Sequence, residues 1–186
     1  MRKFLTNIFL FFTISTYAAG VSAIGYAGDS DLKIIFIRHG EKPEKGGNLT
    51  CKGLNRSLLL PAMVQHKFGV PDFAYVPKLE MGDKTSHARM FETMTPTAVR
   101  FNLVVNSKFD ENDYNAVATE LMSKKGTILV IWEHKAISGI IHALGVTDEL
   151  SWPSDDYDSI WIVSVKEGKV SFSKDSEGLK PPEDCP

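Results

Sequence analysis

Two short, nearly unbroken apolar runs punctuate the chain, Leu32 to Ile37 and Thr127 to Trp132, and each stops abruptly at ionisable side chains. Runs this short, rich in β-branched and aromatic residues, predict strands buried on both faces. Between them the apolar period changes. After Thr50, a good N-cap, Leu54, Leu58, Leu59 and Met63 recur at helical spacing and predict a helix that buries this face, interrupted or restarted at Pro61. Phe73 to Val76 predicts a short strand ended by Pro77. Phe91, Met94, Ala98 and Phe101 form a second helical stripe, and Pro96 places the start of that helix at Thr95, with proline in the tolerated first turn. Further helices are predicted over 115–125 and 135–144, closed by Gly126 and Gly145, and a hairpin over 159–165 and 169–173 turns at Glu167-Gly168. Strands alternating with helices predict an α/β three-layer sandwich: a mainly parallel central sheet with helices on both faces.

The ends of the apolar runs carry the chemistry. The first gives way to Arg38-His39-Gly40-Glu41 and the second to Glu133-His134, and the carboxyl ends of buried strands are where open α/β sheets bind ligands. Arginine beside histidine beside glycine supplies a fixed positive fork, a nucleophilic imidazole and a residue without Cβ that lets a phosphate approach the backbone. Arg89 precedes the second helical stripe and can grip a second pair of phosphoryl oxygens. His134 can donate to the oxygen on which charge builds.

This order resembles the histidine phosphatase superfamily, the clan of phosphoglycerate mutases and acid phosphatases. The likeness rests on Arg38-His39-Gly40 after the first strand, Leu49-Thr50-x-x-Gly53 opening the first helix, Arg89-x-x-x-Thr93, and His134 after a late strand. It covers roughly residues 32 to 145. It implies that family's fold and phosphoryl chemistry, with His39 as nucleophile, Arg38, Arg89 and His134 forming the phosphate pocket, and no metal or cofactor. One position departs from the pattern: Lys135, not an acid, follows His134. The general acid is therefore expected at Glu133 first and Glu111 second, with Asp110 in the same loop and Glu41 beside the nucleophile as alternatives; Glu41 also enters the expected substrate-binding set with Arg38, Arg89 and His134.

Other polar residues have plainer readings. His66, His87 and His142 lie on or near helices and are expected to be structural, Arg56 and Arg100 to be solvated helix positions. The Asp155-Asp156-Tyr157-Asp158 run reads as a solvated loop rather than a metal site, and Trp132, Trp152 and Trp161 as core or pocket wall.

Charge and the amino terminus then set the surroundings. The 186 residues carry a net charge of -2, which argues against nucleic acid as a partner. Residues 1–28 read as a secretory signal, with a basic start at Arg2 and Lys3, an apolar stretch from Phe4, and cleavage near Ala23 or Ala27. An uncleaved membrane anchor is the alternative. Residues 29–186 are then one domain, secreted or periplasmic, in which Cys51 and Cys185, the two cysteines of the chain, are expected to pair. The function these readings imply is an exported, metal-independent phosphatase acting on a small phosphate ester. The alternative is a phospholigand-binding module of the same fold with little turnover. A mutase ranks third, because an exported enzyme meets few phosphorylated intermediates. The sequence is silent on the substrate and on oligomeric state.

Overall fold

The computed structural model describes residues 31–83 and 85–186; the leader expected over residues 1–28 lies outside the described residues. In chain order the elements are β1 (Leu32–Arg38), α1 (Cys51–Phe68), β2 (Phe73–Tyr75), α2 (Ala88–Phe101), β3 (Val105–Asn106), α3 (Tyr114–Met122), β4 (Gly126–Trp132), α4 (His134–Ala143), β5 (Ser159–Lys166) and β6 (Lys169–Ser176). The two apolar runs, β1 and β4, lie side by side in parallel at the centre of a six-stranded sheet of order β3-β2-β4-β1-β5-β6. The half from β3 to β1 is parallel, whereas β5 runs antiparallel to β1 and to β6. The sheet is thus mixed, with its parallel part at the site.

Strand alternation divides the core in two. Ile34 and Phe36 with Ile128, Val130 and Trp132 face α3 and α4. Ile35 and Ile37 with Leu129 and Ile131 face Leu60, Met63 and Val64 of α1 and Met90 and Met94 of α2. The chain therefore leaves β1 toward one face and β4 toward the other. Adjacent parallel strands whose exits diverge in this way open a crevice at their carboxyl ends, the general ligand site of open α/β sheets.

Two helices differ from their apolar pattern. In α1 the inward face includes Gly53, Ser57, Leu60 and Val64; of the expected stripe Met63 is buried, while Leu54, Leu58 and Leu59 are exposed. The reason is Gly53, whose backbone must meet the loop after β1; this fixes which face turns inward. Arg56 goes inward with it and is only 5% exposed, not solvated as expected. In α2 the helix begins at Ala88 and runs through Pro96. Burial of Met90, Met94, Thr97 and Ala98 outweighs the backbone bond lost at the proline, and Phe91 is left at the surface.

Cys51, the first residue of α1, is bonded to Cys185. Around that bridge Asn55 Nδ2 donates to the carbonyls of Pro182 and Asp184 at 3.0 and 2.6 Å, so the carboxyl-terminal tail is tied to the helix that braces the site. Among the described residues no helix is long and apolar enough to cross a membrane.

Candidate active site

β1 and β4 end level: Arg38 is opposite Trp132, and the His39 N–H donates to the Trp132 carbonyl at 3.3 Å. His39 and the Glu133-His134 pair therefore emerge side by side. Two further contacts lock the loop after β1. The Gly40 N–H donates to Thr93 Oγ1 at 2.9 Å, and that hydroxyl donates to the Arg89 carbonyl at 2.7 Å, which joins the loop after β1 to the turn that carries Arg89. On the other side a Cβ at Gly40 would stand 2.7 Å from the Gly53 carbonyl oxygen, and one at Gly53 would meet the Glu41 backbone. Both glycines are needed because two backbones touch.

The His39 ring is fully buried. A carbonyl only accepts, so the 2.7 Å contact between Nδ1 and the Gly40 oxygen places a proton on Nδ1 and turns Nε2 toward the crevice. There Nε2 lies 3.1 Å from Glu133 Oε2, while Glu133 Oε1 is in ion-pair contact with His134 Nδ1. One carboxylate thus bridges both imidazoles. Burial opposes ionisation of Glu133, but the hydrogen bond from His39 and the charges of His39, His134 and Arg38 prevail and hold it at about 2. Burial, with Arg38 and His39 nearby, lowers the pKa of His134 against the pull of Glu133.

The expected bidentate grip of Arg38 on an anion is partly spent elsewhere. Its Nη1 donates to the carbonyls of Ser154 and Asp156 at 2.7 and 3.2 Å, its Nη2 to the Tyr157 hydroxyl at 3.2 Å, and its guanidinium lies 3.9 Å over the Tyr157 ring. Arg89 Nη1 donates to the Gly46 carbonyl at 3.3 Å. Each guanidinium keeps a buried Nε–H without a partner, a donor that a phosphoryl oxygen would satisfy.

Two adjoining cavities meet at Arg89, Glu111 and Glu133. One, of about 470 Å³, is also lined by Gly46, Thr85, Ser86 and His87; the other, of about 310 Å³, by Lys42, His134 and Lys135. Glu111 is placed by Trp132, whose indole N–H donates to the Glu111 carbonyl at 2.9 Å. Burial and the like charge of Glu133 push its carboxyl up, against the pull of His87, His39 and Arg89. His87 has left-handed backbone (φ 61°) and turns its ring into this cavity. Its Nδ1 donates to the Lys78 carbonyl at 2.9 Å and its Nε2 is 3.2 Å from Glu111 Oε2.

The remaining expected residues lie apart. Glu41 is held by Arg56 through two bonds of 2.9 and 3.0 Å, and Arg56 also binds buried Glu177 at 2.5 Å; Glu41 therefore braces α1 rather than facing substrate. Asp110 is an exposed partner of Lys78, 3.7 Å away. Asp156 accepts from Ser159 and the Asp158 N–H and shapes the loop that grips Arg38. Trp152 and Trp161 pack on each other in the core, centroids 4.5 Å apart.

No protein-family model and no curated protein matches the chain in sequence. Solved structures do match in shape. The protein histidine phosphatase SixA, complexed with tungstate, superposes at a TM-score of 0.58 with 18% identity over 78% of this chain and 97% of that one. A mycobacterial glucosyl-3-phosphoglycerate phosphatase with inorganic phosphate gives 0.53 and 12%, covering 77% and 95%. A phosphoglycerate mutase from Bacillus anthracis also gives 0.53 and 12%, covering 78% and 92%. Likeness at this level of identity speaks for architecture alone: the chain shares the α/β fold of these phosphatases and this mutase, a mixed six-stranded sheet covered by helices.

Proposed function

We propose that the chain is a phosphatase that hydrolyses a phosphate monoester through a phosphohistidine on His39, without a metal. The observation that carries this reading is that Arg38, His39 and His134 stand together at the level ends of β1 and β4, His39 and His134 joined through Glu133, with Arg89 from α2 on the wall of the adjoining cavity and the proton of His39 fixed on Nδ1 by the Gly40 carbonyl. As Glu133 turns aside it takes the Nε2 proton of His39, and the lone pair so freed attacks phosphorus as the bond to the leaving oxygen breaks. Arg38 Nε, Arg89 and His134 neutralise the equatorial oxygens, supplying positive charge that other phosphatases draw from metal ions. Water then attacks the phosphohistidine and releases inorganic phosphate.

Glu111 is the acid we assign to the leaving oxygen. It lines both cavities, lies 3.2 Å from His87 Nε2, and is pushed by burial and by the charge of Glu133 to keep its proton to higher pH than an ordinary glutamate. After the first step it takes a proton from the attacking water. Glu133, expected as the acid, is ionised in this arrangement and serves instead to orient the two imidazoles. Because it uses the same ring nitrogens that a phosphoryl group needs, it must turn aside when the ester enters. That last point also favours the second reading, a phospholigand-binding module with little turnover, in which Glu133 remains a competitor for the pocket.

Export is part of the proposal and is supported by the apolar leader and by the Cys51–Cys185 bond, which suits an oxidising compartment. The test is release of phosphate from an aryl phosphate in the presence of a chelator by purified protein, and its loss in His39→Ala. Activity that survives this substitution removes the assignment; tight phosphate binding without release selects the binding module.

A further inference from the structure

Arg56 is a buried cation that phosphoryl transfer leaves unused. Each nitrogen of its guanidinium faces a carboxylate: Nε and Nη2 hold Glu41, and Nη1 holds Glu177, with Asp158 Oδ1 3.8 Å from the same Nη1. The three acids come from three segments. Glu41 lies two residues after His39 on the loop that follows β1. Asp158 adjoins Asp156 and Tyr157, whose carbonyl and hydroxyl accept from Arg38. Glu177 follows β6, and its N–H donates to the Asp158 carbonyl at 2.6 Å. Arg56 thus stands between the loop that carries His39 and the loop that grips Arg38.

A buried ion cluster is a poor source of stability, because stripping water from each charge offsets most of the attraction. The same helix gains stability more simply one turn on, where Leu60 and Val64 pack in the core. What a buried fork supplies is geometry, since its planar donors fix two carboxylates at set distances and angles. The surroundings make that geometry matter. A cavity of about 620 Å³ is lined by Glu41, by Arg56 and by the run from Asp155 to Asp158. Open space rather than packed side chains therefore separates the two loops there, and the guanidinium spans them.

We infer that Arg56 is a positioning residue for the phosphoryl site: by gripping Glu41 on one side and Glu177 and Asp158 on the other, it sets the Arg38 guanidinium against the His39 ring. This rests on the phosphatase reading for its effect on turnover but not for the link between the loops. A small shift of either loop moves the donor relative to the nucleophile, and transfer is sensitive to such shifts.

The experiment compares the wild type with two variants. Arg56→Lys keeps a charge between the acids without the fork; Arg56→Met combined with Glu41→Gln and Glu177→Gln removes the charges together, so that none is left buried and unpaired. The readouts are kcat on an aryl phosphate, inhibition by vanadate and by orthophosphate, and exchange of the Trp152 indole N–H. That indole donates to the Asp156 carbonyl at 2.9 Å and so reports on the loop that holds Arg38. The Trp132 indole N–H, bonded to the Glu111 carbonyl, is the control. At temperatures where each protein is fully folded, both variants are expected to lose about tenfold or more in kcat. They should lose more affinity for vanadate, which mimics the phosphoryl group in transfer, than for orthophosphate. Exchange at Trp152 quickens while exchange at Trp132 does not. A cluster that only stabilises leaves kcat, the vanadate preference and Trp152 exchange as in the wild type, and that result overturns the inference. Should the charge-free variant not fold, Arg56→Lys decides by the same readouts. If the wild type shows no His39-dependent hydrolysis while Trp152 responds as expected, only the phosphatase reading fails; if hydrolysis depends on His39 while kcat and Trp152 are indifferent to Arg56, only the positioning role fails.

Discussion

Glu133 sits where two imidazoles and a buried guanidinium converge, and its titration is the clearest handle on that cluster. Its folded value of about 2 lies below the ordinary 4.5. The stability it contributes is therefore complete above pH 4.5 and drains away as pH falls toward 2. Melting temperature followed against pH should drop less steeply over that window in Glu133→Gln than in the wild type; parallel curves would show that the bridge stabilises nothing. Glu111→Gln tests a different property. Turnover of alkyl phosphates should fall about 100-fold or more, because a poor leaving oxygen needs its proton, while aryl phosphates lose far less; equal losses on both would take the acid role from Glu111. The four cationic residues were legible in the sequence because each stands at the end of a buried strand or in a recognisable context such as Arg89-x-x-x-Thr93. Arg56 was not. Its partners Glu41 and Glu177 are 15 and 121 residues away, and a charged residue on a helix carries no local sign that it will be turned inward. Tyr157 and His87 were hidden for the same reason, since a loop's path across the site is set by tertiary packing.

The same contrast appears in whole elements. Strands β1 and β4 could be read directly, since burial on both faces leaves an unbroken apolar run with no face to choose. Helix α1 could not: three leucines at 54, 58 and 59 outvoted the inward face, yet the close approach of Gly53 to the Glu41 backbone decided its rotation. Gly53→Ala should thus cost about 1–3 kcal/mol by forcing two backbones apart and should also depress activity by shifting the loop that carries His39. Leu60→Ala, at a fully buried site, should cost about 2–5 kcal/mol, and Leu58→Ala, on the exposed side, under about 1 kcal/mol. Denaturant unfolding of the three variants decides this; a larger loss at Leu58 than at Leu60 would mean that the helix faces the other way. Pro96 misled for a related reason, because its local penalty was counted while the burial of Met94 and Ala98 beyond it could not be.

At the scale of the molecule, the parallel half of the sheet supplies the crevice, and the antiparallel β5–β6 hairpin leads into a tail that returns to α1. The Cys51–Cys185 bond spans 134 residues, for which loop-closure entropy gives about 5 kcal/mol. Reduction, or Cys51→Ser with Cys185→Ser, should lower the melting temperature accordingly; an unchanged value would make the bridge incidental. α/β layering followed from the alternation of strand and helix patterns and the β5–β6 hairpin from its Glu167-Gly168 turn, whereas the antiparallel pairing of β5 with β1 did not, because a buried strand has no sequence mark for its direction. The claim on which the rest depends is that His39 carries the phosphoryl group. Rapid alkaline quench of the purified protein with an isotopically labelled aryl phosphate, followed by peptide mapping, tests it directly. The account predicts an acid-labile, base-stable phosphate on the peptide that contains His39, absent in His39→Ala. Steady turnover with no such adduct, or an adduct on another residue, would contradict it.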